Sequence, residues 1–233
     1  MPSEPPADSG APAVPDGSAM GPYGFFRDNR PLCTTLSVLL TALPVIDLAI
    51  GILSGIDLRR LSTPEGVAHF LSPNLDTLDV IMMVVGVGYL IVASITIPLF
   101  FAWKNRSCKN AWFLAPHRMS ITPPWTVIWY FVPFAQLVKP LDTMKEVIGV
   151  SIPDNPPMKL ADLWWTLLIS ALVIYTIIFI ISIQAAMSEG VELVRLTIWL
   201  SLVATPINMA SSLSLLVLIR RITRSQFRQI GQA

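Results

Sequence analysis

Charge is scarce in this chain. Only 13% of its 233 residues are Asp, Glu, Lys or Arg, about half the share in an ordinary soluble domain. So few charges cannot clothe a soluble globule of this size. With 53% hydrophobic residues the chain reads as an integral membrane protein, a single bundle of spanning helices. Sixteen Lys and Arg nearly balance fifteen Asp and Glu, so no basic excess points to nucleic acid. Cysteine and histidine are scarce too. Cys33 and Cys108 match no metal or redox spacing and read as free thiols. His69 and His117 fall on opposite sides of the membrane in a four-span topology, where they share no haem or metal. There is no phosphate-binding glycine loop, H-E-x-x-H or G-x-S-x-G. No cofactor and no metal are implied, and the missing motifs argue against an enzyme.

Proline and uninterrupted apolar sequence are abundant. Residues 1–30 carry six prolines among Ala, Ser and Gly, with Glu4, Asp8 and Asp16, a mixture that buries no core and reads as a disordered tail. Its acidic start and late apolar stretch differ from a secretory signal, so the tail is expected to be retained. Four segments can span: 32–56, with Asp47 as its one charge, and 80–103, 163–186 and 196–219, with none. As helix the last three measure about 36 Å each against a hydrocarbon core of about 30 Å. A fifth uncharged stretch, 119–138, contains Pro123, Pro124 and Pro133, each of which removes a backbone hydrogen bond that lipid cannot replace.

The basic residues decide between four spans and five. With four, thirteen Lys and Arg share the face of both termini and the 104–162 loop, against Arg59, Arg60 and Arg195 on the other; with five the split is 7 to 9. The expectation is a four-span protein of the bacterial cytoplasmic (inner) membrane with both termini cytoplasmic. Its membrane domain is 31–222, its basic tail 223–233, and residues 120–149 form an interfacial or re-entrant element. On the outer side, Ser62-Thr63-Pro64-Glu65 has the form of a capping box, predicting a short helix to about Leu71.

Within the central segment Trp103, Arg106 and Asn110 follow at i, i+3 and i+7, one helix face if span two continues beyond the membrane. Thr122 is placed to cap a helix carrying Trp125, Ile128, Trp129 and Val132, which Pro133 ends or kinks. Phe134, Leu137, Leu141, Met144 and Ile148 then form a second stripe, with Gly149 as its stop. Two short amphipathic helices joined at a proline suit an in-plane or re-entrant element. The runs W-K-N-R-S-C-K-N (103–110) and P-P-W-T-V-I-W-Y-F-V-P-F-A-Q-L-V-K-P-L-D-T-M-K-E (123–146), followed by Trp164-Trp165, resemble the bacterial membrane family called domain of unknown function 4328 over roughly residues 80–185. The resemblance implies that Trp103, Arg106, Asn110, Pro124, Trp125, Phe131, Pro133, Pro140 and Glu146 occupy the family's motif positions, with Gln136 where the family shows Asn and Val147-Ile148 where it shows an aromatic. It implies a fold and no reaction.

Two groups of residues are candidates for function. Arg106 is expected to reach Glu146, or the carbonyls freed by Pro133 and Pro140, as a structural tie or a ligand contact. Asp47 is the one formal charge well inside a span, and intramembrane acids are costly. Tyr89 and Thr205 lie at the same depth, nine residues from the outer ends of their spans, with Tyr175 and Thr176 near that level. Such a layer either holds a proton, ion or small ligand, or is a hydrogen-bonded helix contact. Ser201, Thr205, Asn208 and Ser212 share one face of span four, and Met82, Gly86, Tyr89, Ala93 and Thr96 one face of span two, which places both spans inside the bundle. Arg220, Arg221, Arg224 and Arg228 suit anionic lipid headgroups, although topology alone requires them. The expected partners are the bilayer and other membrane subunits or further copies of the chain, in an accessory or scaffold role. The alternative is a small transporter or ligand-binding protein built on the Asp47 layer.

Overall fold

The computed structural model describes residues 20–72, 75–188 and 190–231. Four long helices, α1 (Arg30–Arg60), α3 (Thr77–Leu114), α6 (Met158–Ser188) and α7 (Val191–Gln229), are each long and apolar enough to cross a membrane. Three short ones, α2 (Pro64–Phe70), α4 (Trp125–Ile128) and α5 (Lys139–Ser151), lie between them, and no strand forms among the described residues. This is the expected all-α, four-span architecture. Four crossings put both termini on one side, the terminal face; the turns α1–α3 and α6–α7 lie on the distal face.

The packing order is not the chain order. α1 packs on α3 and α7, and α7 on α6, giving the spatial sequence α3–α1–α7–α6. Burial agrees: 33% of the apolar window of α1 and 39% of that of α7 is covered by other parts of the chain, against 6% for α3 and for α6. The expectation that spans two and four are the inner pair holds for α7 and fails for α3, whose place is taken by α1. The small-residue face of α3 does turn inward, Thr96 being buried, but the rest of its apolar window is left to lipid.

At about 57 Å, α3 is far longer than the hydrocarbon layer, and α7 is similar. Their ends run past the membrane on the terminal face and pack with α5, so the deepest core, including Trp103, Met144, Val147, Ile148, Trp164, Ile219 and Ile222, sits at that end. Two sequence-based boundaries are corrected here. Residues 20–29, read as part of a disordered tail, pack on the bundle: Asn29 is fully buried, and the Phe26 ring stands edge-on to Phe113 and Phe227. Residues 223–229, read as a basic tail, continue α7 and bury Thr223, Gln226 and Phe227. Residues 1–19, the rest of the expected tail, lie outside the described residues.

On the distal face Thr63, not Ser62, caps α2, its hydroxyl accepting from the Gly66 amide at 3.1 Å. The cap moves one residue because the Ser62 hydroxyl bonds back to Leu58 O at 2.9 Å, ending α1 instead. A side chain at Gly66 would run into the Arg60 carbonyl.

The central segment does not span. Around α4 it runs as 3-10 turns at 116–118, 129–131 and 135–137 before α5 begins. The helix expected from Trp125 to Val132 shrinks to one α turn; Thr122 contributes its backbone carbonyl to the Trp125 amide (3.1 Å) and its hydroxyl makes no cap. Pro133 closes a three-residue turn, Ala135 N donating to Pro133 O at 2.7 Å, which forces Phe134 to φ +61°. For a bulky residue that is a strained conformation. The turn splits the second apolar stripe: Phe134 is 85% exposed, while Met144 and Ile148 are fully buried in α5. Gly149 lies inside α5, which ends at Ser151 because Ile152 precedes Pro153.

Candidate functional site

Lys104 lies one residue beyond Trp103, where the apolar part of α3 ends, and is buried to 1% exposure. Its Nζ donates to Tyr130 Oη and to Pro140 O, each at 3.0 Å, and stands 4.7 Å from the centre of the Tyr130 ring. No carboxylate pairs with it among the described residues. Burial pushes the Lys104 amine down to about 7 and the Tyr130 hydroxyl well above its ordinary titration range, so a neutral phenol meets an amine that loses its charge near neutral pH. Pro140 O also accepts from Thr143 Oγ1 at 2.8 Å. One lysine side chain thus ties the start of α5 and the 129–131 turn to α3.

That tie was expected of Arg106, and the structure corrects the assignment. Arg106 is exposed and lines a shallow depression with Arg27, Lys109 and Ile128. The buried face of α3 runs through Trp103, Lys104, Ser107, Cys108, Asn110 and Ala111, which turns Arg106 away. Glu146 serves the backbone instead. Its Oε1 accepts from the Ser120 amide and from the Ile121 amide (3.1 Å), and its Oε2 from the Ser120 hydroxyl (2.9 Å). Ile121 O in turn accepts from Trp112 Nε1 at 2.8 Å, so the 116–124 loop is clamped from both sides.

Trp103 and Asn110 are buried, while Arg106, expected on the same face, is not. Trp103 Nε1 donates to Thr223 Oγ1 at 3.0 Å, joining α3 to α7. Asn110 pairs with the backbone of Arg27, accepting from its N and donating to its O, both at 2.9 Å, and so docks residues 20–29 as a strand partner would. Gln226 Nε2 bonds Ser107 O and Ser151 Oγ, each at 2.9 Å, completing a buried polar network with Asn29 and Ser107. Nothing in the sequence distinguished Gln226 or Lys104 from ordinary juxtamembrane polar residues.

Residues 116–151 form a cap over the terminal end of the bundle, packed on α3, α6 and α7, and the aromatic positions of the motif form its lower rim. Trp125 and Trp129 rings stand 4.6 Å apart just after Pro124. Phe131, 70% exposed, lies 5.7 Å from Phe101, and Trp165 Nε1 donates to Leu137 O at 2.9 Å. Residues 129–137 are therefore level with the ends of the apolar segments of α3 and α6.

The second candidate site is partly assembled. Asn208 Nδ2 donates to Asp47 Oδ2 at 2.9 Å and to Tyr89 Oη at 3.0 Å, linking α7, α1 and α3 at the expected depth. Thr205 does not join: its hydroxyl bonds back to Ser201 O at 2.9 Å, and its methyl packs where a side chain on Gly51 would stand. Tyr175, on peripheral α6, is half exposed with no hydrogen bond among those described. On the distal face His69 Nε2 lies 3.5 Å from Asp76 and 3.7 Å from Asp79. This arrangement could hold a cation, but both carboxylates already serve the capping box of α3 and Asp76 also pairs with Arg60. The Asp79 backbone amide, with Arg60 beside it, holds the Asp76 carboxyl below its ordinary range.

Chemically, both sites are sets of ties. They join helices through amides, hydroxyls, two carboxyls and one buried lysine, and neither sets a nucleophile against a base. No curated protein and no solved structure matches the chain. A family model matches residues 71–224, a range that takes in Lys104, the whole cap, Tyr89 and Asn208 and leaves out α1 with Asp47. The chain belongs to the family described as Domain of unknown function (DUF4328).

Proposed function

We propose that the protein is a non-catalytic accessory or scaffold subunit of the bacterial inner membrane, with both termini cytoplasmic, that binds a membrane partner through the rim of its cap. The observation that carries this reading is the strained, exposed turn at Pro133–Phe134, flanked by the bonds of Lys104 to Tyr130 and Pro140 and of Trp165 to Leu137. A non-glycine residue in that conformation costs on the order of 1–3 kcal/mol and persists only where its surroundings over-determine it. Here rigid ties hold two phenylalanines, at 131 and 134, outward beside two lipid-facing helices, the arrangement of an aromatic anchor. In membranes of the source cell, a photoreactive phenylalanine at position 134 is expected to give one protein adduct of defined mass. The same group at Phe179, exposed in the middle of α6, is expected to give lipid adducts alone. Lipid adducts alone at both positions would refute the reading.

A second reading, a small transporter or ligand-binding protein, is favoured by Asp47, a 3% exposed intramembrane acid met by one amide and no cation among the described residues. Asp47→Asn in proteoliposomes separates the two readings: unchanged proton and solute flux removes the transporter.

A further inference from the structure

Between α1 and α7 on the terminal face lies a cavity of about 640 Å³ that belongs neither to the cap nor to the Asp47 layer. Arg220, Arg224 and Arg228 line it from α7, four residues apart and so on one helix face, and Arg30 faces them from α1. Arg221, turned roughly 100° from Arg220, does not line it. Two of these side chains are aimed by their neighbours. Arg220 Nε donates to Ser37 Oγ at 3.0 Å, and the Arg30 guanidinium lies 4.4 Å over the Phe227 ring. Among the described residues Asp28, paired with Arg30, is the one carboxylate bonded to any of the four; the three guanidiniums of α7 have none. Several unpaired guanidinium forks converging on one space suit a phosphate, which takes them two oxygens at a time.

The cavity does not end at the headgroup level. It shares Ser37 and Arg220 with an apolar groove of about 440 Å³ that continues along α1 past Val38, Ala42, Val45 and Ile46, two turns deeper into the span. A free phosphate has no use for such a groove. A phospholipid fills both parts, and the sidedness matches, since the charged end is at the mouth and the apolar end lies in the hydrocarbon.

We propose that this site binds one anionic phospholipid, its phosphate among Arg220, Arg224 and Arg228 and one acyl chain along the α1 groove. The site is independent of the aromatic rim and requires no partner protein.

The full chain, purified in a neutral detergent, is titrated with palmitoyl-oleoyl phosphatidylglycerol and followed by native mass spectrometry, with the phosphatidylcholine analogue for comparison and sodium phosphate as competitor. One phosphatidylglycerol per chain is expected, bound at least tenfold tighter than phosphatidylcholine and not displaced by millimolar phosphate. Arg220→Gln with Arg224→Gln is expected to weaken it at least tenfold and Arg221→Gln less than twofold. Ala42→Trp, which fills the groove, is expected to weaken it at least fivefold. Equal losses from the Arg221 variant and the double variant would overturn the site in favour of general surface charge. Displacement by phosphate, with Ala42→Trp without effect, would assign a free phosphate and overturn the lipid. Should the double variant lose its thermal unfolding transition, Arg228→Gln, at the open end of the stripe, takes its place beside Ala42→Trp. A loss larger than that of Arg221→Gln is then expected, and an equal one overturns the site.

Discussion

Replacing Lys104 separates the two ways in which a buried lysine can hold a structure together. Its amine makes two hydrogen bonds at 3.0 Å and stands over an aromatic ring, and below about pH 7, where it is charged, each bond is worth about 1.5–3 kcal/mol. Against this stands the cost of taking an ammonium out of water without a carboxylate, several kcal/mol. These terms nearly cancel. The four-carbon stem has no such offset, since it fills space at 1% exposure, and removing that much buried hydrocarbon costs about 2–5 kcal/mol. Lys104→Met keeps the volume, and Pro140 O retains Thr143 as its donor, so its cost is expected within about 1.5 kcal/mol. Lys104→Ala is expected to cost about 2–4 kcal/mol. Cys108, fully buried one turn further along α3, reports the opening of the cap through its rate of maleimide labelling, measured with Cys33 replaced by Ser. At 1.36 kcal/mol per factor of ten, Lys104→Ala should speed labelling by about 30- to 900-fold and Lys104→Met by about tenfold at most. If Met is as damaging as Ala, the hydrogen bonds outweigh the packing and the reasoning fails. If Ala labels at the wild-type rate, Lys104 does not hold the cap.

Glu146→Ala removes the acceptor of three donors at residues 120–121, about 1–3 kcal/mol, and should speed tryptic cleavage after Arg118 by about 5- to 150-fold; unchanged cleavage would mean that the loop is held elsewhere. Asn208→Leu breaks both bonds of the intramembrane layer, and at about 0.6 kcal/mol for each bond between spanning helices it should lower stability in an SDS titration by about 1 kcal/mol. A loss above about 4 kcal/mol would instead mean that Asp47 was left as an uncompensated buried charge. The Asp76 carboxyl is held below its ordinary value of 3.8, so its contribution is full above that pH and disappears as the pH falls through the lower folded value. Hydrogen exchange at the start of α3 should therefore rise below about pH 3.8 in the wild type. Asp76→Asn should show no such acid limb, and an identical limb in both would assign it to another group.

Which parts of the fold were legible in the sequence follows from which forces are local. Hydropathy located the four crossings, and the distribution of Lys and Arg together with the prolines at 123, 124 and 133 refused a fifth, because lipid makes the backbone requirement the same at every position. Asp47 announced itself for the same reason. Arg106 and Lys104 could not be told apart in that way. Both are basic residues just past a span, and only the helical phase at which α5 and residues 20–29 meet α3 buries one and exposes the other. The same holds for Gln226 and Thr223, which composition assigned to a basic tail and which α5 and Trp103 draw into the core. Thr205 failed to join Asp47 although its depth was right, because a hydroxyl in an apolar helix bonds its own preceding turn unless a partner stands closer.

The sequence by itself determined that this is a four-span membrane protein, which face carries the basic residues, and that an acid lies at mid-depth. Each of these follows from the solvent at each position along the chain. Tertiary structure alone decided the order α3–α1–α7–α6, the lysine beneath the cap and the gathering of four arginines, separated by up to 198 residues, around one cavity. These depend on which faces meet across long sequence separations, and no local pattern of apolar and polar residues records that.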